Sequence, residues 1–143
     1  MRGKASSARR SSEEIIAEQV APGEAPLLCE KSFAAFCKSL VQTDVNEAVL
    51  LRLVEGDMRL LRIAGARARR DCATVAQEAH LLAGIAGALG LLQVSRLARQ
   101  LEDACLSGDR AVTYGLIGRL SEVFQLSGAA LDALLRRRTG AGC

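Results

Sequence analysis

The chain has 143 residues, of which 50% are hydrophobic and only 3% aromatic, with no Trp. This length suits one domain, and the scarcity of aromatic residues favours helices packed on helices over a β-sandwich, so we expect an all-α fold. The net charge is +3, but seven of the 19 basic residues lie at the two ends, which leaves 12 basic against 16 acidic residues between them. That balance argues against a folded nucleic-acid-binding surface.

The first predicted segment, residues 1–28, is a tail. Its opening stretch "MRGKASSARRSS" is basic and rich in Ser, without the apolar run of a secretory signal or a membrane span. We expect a solvated, disordered tail here, with an organellar transit peptide as the alternative. The stretch "EEIIAEQV" suits a short helical turn that the prolines of "APGEAP" end.

Residues 29–138 are expected to form the folded domain. A short helix over "LLCEKSFAAFCKSL" precedes a long one that Thr43 or Asp44 caps and that runs to about Arg69. A third helix is predicted from near Asp71, a fourth from near Gly90, and a last one after the turn "SGD". Short connections make consecutive helices antiparallel, which predicts an up-down antiparallel four-helix bundle with an extra N-terminal helix. Residues 139–143 are expected to be a flexible C-terminus.

Two of the predicted helices carry regular apolar stripes, with spacings of three and four residues. On the third helix the stripe is Cys72, Val75, Ala79, Leu82, Ala86 and Leu89, and on the fourth it is Leu91, Val94, Leu97, Leu101 and Ala104. The five cysteines have no zinc-type spacing and the chain has one histidine. We therefore expect no metal site, and reduced, mostly buried thiols in a cytoplasmic protein.

His80, the single histidine, lies within the third helix in the stretch "AHLLAGIAGALG". Counting about 100° per residue from Val75, His80 falls roughly 140° away, between Gly84 at about 180° and Gly87 at about 120°. The imidazole is thus expected to point outward. A glycine inside a helix costs on the order of 1 kcal/mol relative to Ala. Two alternatives would explain why the helix keeps these glycines. They clear the surface around His80 for a large partner, or they allow close helix packing.

This region resembles the histidine-containing phosphotransfer (HPt) domains. The matching motifs are Ala79-His80, Gly84, Leu89-Gly90 and Leu101-Glu102, in register without a gap. The resemblance implies that His80 accepts a phosphoryl group from the phosphoaspartate of one receiver domain and passes it to another. It also implies that Glu102 accepts a hydrogen bond from the second ring nitrogen and orients the imidazole.

The resemblance further implies which partners and cofactors to expect. The partners are receiver domains of response regulators or of hybrid histidine kinases, and the magnesium belongs to the receiver, so this chain needs no cofactor of its own. We expect a cytoplasmic monomer that binds neither membrane nor nucleic acid. A self-phosphorylating kinase is not expected, because the chain has no glycine-rich nucleotide motif and 143 residues leave no room for an ATP-binding domain.

One position departs from the family pattern. Ala83 stands three residues after His80, where the family usually has a Lys that attracts the phosphoryl group. Arg99, one turn before Glu102, is the nearest candidate to replace that charge. Two alternatives follow: a degenerate bundle that binds a signalling partner without phosphotransfer, and a structural bundle with an incidental histidine.

The surface around His80 is expected to be apolar enough for a partner to dock on it. Core packing by a broad apolar stripe is the competing interpretation. The residues predicted to form this docking surface are Gln77, Leu81, Ala83, Gly84, Ile85 and Gly87.

Overall fold

The computed structural model describes residues 25–41 and 44–142, with side chains as far as residue 138. Over these ranges the chain forms helices and no strand, which confirms the all-α prediction. The helices are α1 (Glu30–Ser39), α2 (Val45–Ala68), α3 (Cys72–Leu89), α4 (Leu92–Ser107) and α5 (Arg110–Gly142). The expectations for residues 1–24 and for residue 143 lie outside the described residues.

Both ends of the expected domain differ from the sequence-based boundaries. Ala25 and Leu27 are buried, so the packed domain begins before residue 29. At the other end, α5 runs to Gly142 and includes residues that we expected to be flexible. No proline follows residue 26, so the last helix lacks the strongest helix breaker near that boundary.

Short polar side chains and glycines set the helix ends. The Asp44 carboxylate caps α2 by accepting from the backbone N–H of Asn46 at 2.9 Å. Asp71 caps α3 by accepting from the backbone N–H of Thr74 at 3.1 Å and from its hydroxyl at 2.6 Å. At their C-terminal ends α3 and α4 stop at Gly90 and Gly108, whose φ angles of 81° and 80° are left-handed. These caps agree with the predicted helix boundaries.

The four long helices form an up-down bundle. Neighbours along the chain pack against each other, α2 on α3, α3 on α4 and α4 on α5, and α5 closes the ring by contacting α2. The extra helix α1 lies at the end of the bundle where α3 stops, because the backbone N–H of Cys29 donates to the Gly90 carbonyl at 2.8 Å. The predicted four-helix bundle with an extra N-terminal helix is therefore confirmed.

The core is aliphatic, as the composition requires, and the stripe predicted on α4 is buried along its whole length. The stripe predicted on α3 is wrong at Cys72, which is exposed because it is the first residue of the helix, at the end of the bundle. The expectation of mostly buried thiols is wrong as well. Among the four described cysteines, all of them free, only Cys105 is buried.

Helix α3 is also long and apolar enough, by composition alone, to suit a membrane span, but half of it is buried in the bundle. A core helix of a bundle has the same composition, so this feature is weak evidence for a membrane.

Candidate functional site

His80 lies in the middle of α3 with 71% of its side chain exposed. The residues around it along the helix, Ala79 and Leu82, are fully buried and fix which face of α3 packs inward. His80 therefore points to solvent, as the helical angle predicted. The ring is open to approach by a second molecule.

Glu102 of α4 holds one side of the imidazole. Its Oε1 lies 3.2 Å from His80 Nδ1, and the Glu102 side chain is 27% exposed. A carboxylate accepts hydrogen bonds, so this contact favours the tautomer that carries its proton on Nδ1. Nε2 then has a free lone pair and faces away from Glu102. The predicted pairing of His80 with Glu102 is present in the structure.

The two glycines beside His80 differ in their surroundings. A Cβ added to Gly84 would meet nothing within 4 Å, so close helix packing does not explain this glycine. A Cβ on the half-buried Gly87 would lie 3.6 Å from Ser95 Oγ, an ordinary contact with α4. Gly84 thus leaves open space on the His80 face, whereas Gly87 lies at the edge of the contact between α3 and α4.

Ala83 corrects the predicted docking surface. Its side chain is only 4% exposed, because it lies where α4 packs on α3, and its carbonyl accepts from Ser95 Oγ at 3.2 Å. Helical angles measured from Val75 place a residue relative to one stripe and do not locate the neighbouring helix. Ile85, another residue of the predicted docking surface, is half-buried.

The remaining predicted docking residues are exposed. Gln77 and Leu81 lie on the outer face of α3, and Leu81 is 40% exposed. Leu106, one turn after Glu102 on α4, is 73% exposed and was not predicted as part of this surface. Its signal is an apolar residue outside the α4 stripe, where an exposed position would ordinarily be polar. Leu106 extends the apolar surface near His80 onto α4.

Arg99 is exposed on α4 between two residues that contact α3. Ser95 meets Ala83 and Glu102 meets His80, so Arg99 lies level with the segment from His80 to Ala83 along the bundle axis. This is the level at which the Lys of the family pattern would lie. The role of Arg99 as a phosphate contact stays a prediction.

A buried acidic residue near the site also escaped the sequence analysis. Glu78, two residues before His80, pairs with Arg59 of α2 at 2.9 Å and lies 3.9 Å from Arg62. Its signal is a charged residue next to the apolar stripe of α3. Glu78 is only 9% exposed, so this pair is a largely buried link between α2 and α3 two residues before His80.

The described residues contain no group of three or more His, Cys, Asp or Glu side chains that is placed to hold a metal ion. The chemistry available at this face is that of one oriented, exposed imidazole with a carboxylate behind it.

Comparisons with known proteins give two matches. A sequence model of the Hpt domain family matches residues 47–137, a range that includes His80 and Glu102. Among solved structures, the crystal structure of histidine-containing phosphotransfer protein B (HptB) from Pseudomonas aeruginosa PAO1 has a TM-score of 0.72 and 17% sequence identity to this chain. The similarity covers 80% of this chain and 98% of HptB, and at this identity it concerns the fold. No curated protein matches the sequence.

Proposed function

The chain belongs to the Hpt domain family, and from this premise we propose that it is a phosphorelay intermediate that carries a phosphoryl group on His80. One observation carries the proposal most directly. His80 Nδ1 contacts Glu102, which leaves Nε2 of an exposed ring as the free nitrogen. A neutral imidazole with one free nitrogen is a competent nucleophile near neutral pH.

In the proposed transfer, the lone pair of Nε2 attacks the phosphorus of a receiver phosphoaspartate. The P–N bond forms as the P–O bond breaks, and the aspartate leaves as a carboxylate. The ring then carries positive charge that the Glu102 carboxylate offsets through the Nδ1 hydrogen bond. Passing the phosphoryl group to a second receiver reverses these steps. The magnesium ion that assists each step belongs to the receiver.

The receiver, from a response regulator or a hybrid histidine kinase, docks on the face that carries His80. Gln77, Leu81 and Leu106 are its exposed contacts, and Gly84 leaves room for it. Exposed apolar side chains grouped around a reactive residue are typical of a binding surface. We assign the phosphoryl transfer to a monomer in the cytoplasm. The four cysteines of the described residues are free thiols, which the reducing cytoplasm preserves.

The test is transfer of label from a phosphorylated receiver domain. The wild-type protein is expected to take up phosphate that is labile in acid and stable in base, as phosphohistidine is. His80→Gln is expected to take up none while keeping its helical circular dichroism. Label on His80→Gln contradicts the proposal. Receiver binding without label on the wild type, across a panel of receivers, favours the degenerate bundle, for which the buried Ala83 in place of a Lys is the motivation.

A further inference from the structure

A small cavity lies at the end of the bundle opposite α1, where α2 joins α3 and α5 begins. Its volume is about 30 Å³, which is room for about two water-sized groups. Apolar side chains, among them the buried Val75, line part of it, and three arginines line it as well: Arg67, Arg70 and Arg110. These arginines lie in the last turn of α2, in the connection to α3 and at the first residue of α5. Three separate segments therefore bring positive charge to one opening.

We infer that this cavity binds the phosphate group of a small molecule, which is either inorganic phosphate or a phosphate monoester. The site is separate from the face proposed for phosphotransfer. Cys72, which also lines the cavity, lies about 12 Å along α3 from His80. The inference uses none of the residues of the proposed transfer, and it stands or falls independently of that function.

The three guanidinium groups have no acidic partner. Within the described residues, none of them takes part in an ion pair. Asp71 also lines the cavity, but one of its carboxylate oxygens accepts from the Thr74 backbone N–H at 3.1 Å and the other from the Thr74 hydroxyl at 2.6 Å. Asp109, next to Arg110, caps α5 by accepting from the Val112 N–H at 3.1 Å. Positive charge at the opening thus exceeds what the neighbouring carboxylates offset.

The arrangement favours a phosphate group over a carboxylate. A phosphate monoester carries close to two negative charges near neutral pH and has three oxygens that accept hydrogen bonds. Arginine binds such oxygens through a planar fork of N–H donors. Three arginines that reach the cavity from three segments can each contact a different oxygen, whereas a carboxylate has only two oxygens.

Two of the arginines are held in ways that point to a ligand. Arg67 lies over the ring of Tyr114, with its guanidinium carbon 4.4 Å from the ring centre, which restrains this charge beside the cavity. Arg70 has a φ of 58°, a left-handed conformation that favours glycine. An arginine at this position costs stability without an ion pair in return, and a bound anion would offset that cost.

The experiment titrates the full chain with inorganic phosphate, in the absence of any phosphodonor, while NMR follows the arginine Nε–H and backbone amide signals. Sodium chloride at equal ionic strength is the reference, since it separates binding from general screening. We expect saturable shifts around Arg67, Arg70 and Arg110. The midpoint should be on the order of 1 mM, because three exposed charge contacts give only weak affinity.

Single variants assign the site to these arginines. Arg67→Gln, Arg70→Gln and Arg110→Gln are each expected to raise the midpoint about 3- to 5-fold. Arg96→Gln, which removes an exposed charge from α4, is the matched control and should leave the midpoint unchanged. Arg70→Gly should bind phosphate as weakly as Arg70→Gln but unfold at a higher urea concentration, because glycine relieves the backbone strain. The loss of binding is then separate from any loss of stability.

Phenyl phosphate distinguishes the two sources of the phosphate group. A midpoint about tenfold or more below that of inorganic phosphate would assign the site to a monoester whose body contacts Tyr114 and the apolar side of the cavity. Equal midpoints would assign it to free phosphate.

The inference is overturned if the shifts do not saturate, or if succinate, a dicarboxylate, shifts the same signals with an equal midpoint. It is also overturned if the shifts centre on His80 and Arg99, since phosphate then binds at the face proposed for phosphotransfer. Transfer of label to His80 enters none of these outcomes, so the two proposals fail separately.

Discussion

The hydrogen bond between His80 and Glu102 joins two helices through side chains that water reaches, with exposures of 71% and 27%. A contact of this kind adds little to stability. Its consequence is orientation, because it fixes which ring nitrogen carries the proton. The leucines and alanines of the core hold α3 against α4, and the carboxylate then leaves Nε2 as the ring nitrogen with a free lone pair.

Glu102→Ala is therefore expected to slow phosphoryl transfer while leaving the fold intact. One hydrogen bond of about 0.5–1.5 kcal/mol corresponds to a rate loss of roughly 2- to 10-fold. The nitrogen-15 chemical shifts of the single imidazole should move away from the tautomer with its proton on Nδ1. Asp103→Ala is the matched control, since Asp103 is an exposed acidic neighbour on the same helix. Equal behaviour of the two variants would contradict the assigned role of Glu102.

Arg99→Ala is expected to lower the fraction of phosphate that rests on His80 at equilibrium with a receiver. Arg99 lies level with the His80 to Ala83 segment, and an exposed charge there is worth up to about 1 kcal/mol, a factor of about 5 or less. The effect should shrink as salt is added. Arg96, exposed one turn further from Glu102, gives the control variant Arg96→Ala. If both variants lower the fraction equally, the effect reflects general charge and Arg99 has no special role.

At the scale of the helix, α3 combines an apolar core face with an outer face of small residues. Gly84 is the position where that outer face is most open, since an added Cβ meets nothing within 4 Å. The glycine thus weakens the helix without a packing benefit inside this chain. The benefit is expected in the complex, where a receiver must approach His80 closely.

Gly84→Ala should stabilise the protein by about 0.5–1 kcal/mol, because Ala is a better helix former and has room here. Gly84→Gln should keep the stability and block transfer from a phosphorylated receiver. Gly118→Gln on α5 is the control, since its Cβ also meets nothing within 4 Å. Urea unfolding measures the first effect and label transfer the second. Transfer through Gly84→Gln at the wild-type rate would exclude Gly84 from the docking surface.

The sequence predicted the helices more completely than the site surface. Asp44, Asp71 and the glycines at 90 and 108 are local signals of helix ends. The helix boundaries could therefore be predicted without knowing which helices pack together. The burial of Ala83 depends on where α4 packs against α3. Only the structure shows this position, through the hydrogen bond from Ser95 Oγ to the Ala83 carbonyl. The exposure of Cys72 depends on where the bundle ends, which the periodicity of one helix does not contain.

At the scale of the whole molecule, α1 packs on the end of the bundle where α3 stops and contacts both α3 and α5. The Cys29 amide donates to the Gly90 carbonyl, and Glu30 pairs with Arg137 of α5 at 3.6 Å. His80 lies ten residues before Gly90, about 15 Å along the helix. Its side chain bonds to Glu102 of α4, which takes no part in these α1 contacts, so the site and the α1 contacts should respond separately to mutation.

Gly90 and Gly108 allow this separation to be tested with a matched pair of substitutions. Both have a left-handed φ, and both end a helix, so Ala at either position carries the same backbone strain of about 1–2 kcal/mol. An added Cβ meets nothing within 4 Å at Gly108, but at Gly90 it would lie 2.6 Å from the Cys29 carbonyl oxygen and 3.1 Å from the Phe33 nitrogen.

Gly90→Ala is therefore expected to lower the free energy of unfolding by about 1–3 kcal/mol more than Gly108→Ala does, because backbone atoms of α1 must move to relieve the overlap. Urea denaturation measures this difference, and hydrogen exchange should show faster exchange of the α1 amides in Gly90→Ala only. Phosphate uptake by His80 should survive in both variants at temperatures where they remain folded. Equal stability losses in the two variants would mean that α1 moves away from the new methyl group without a cost in free energy. Loss of phosphate uptake in Gly90→Ala alone would mean that α1 helps to position His80 on α3.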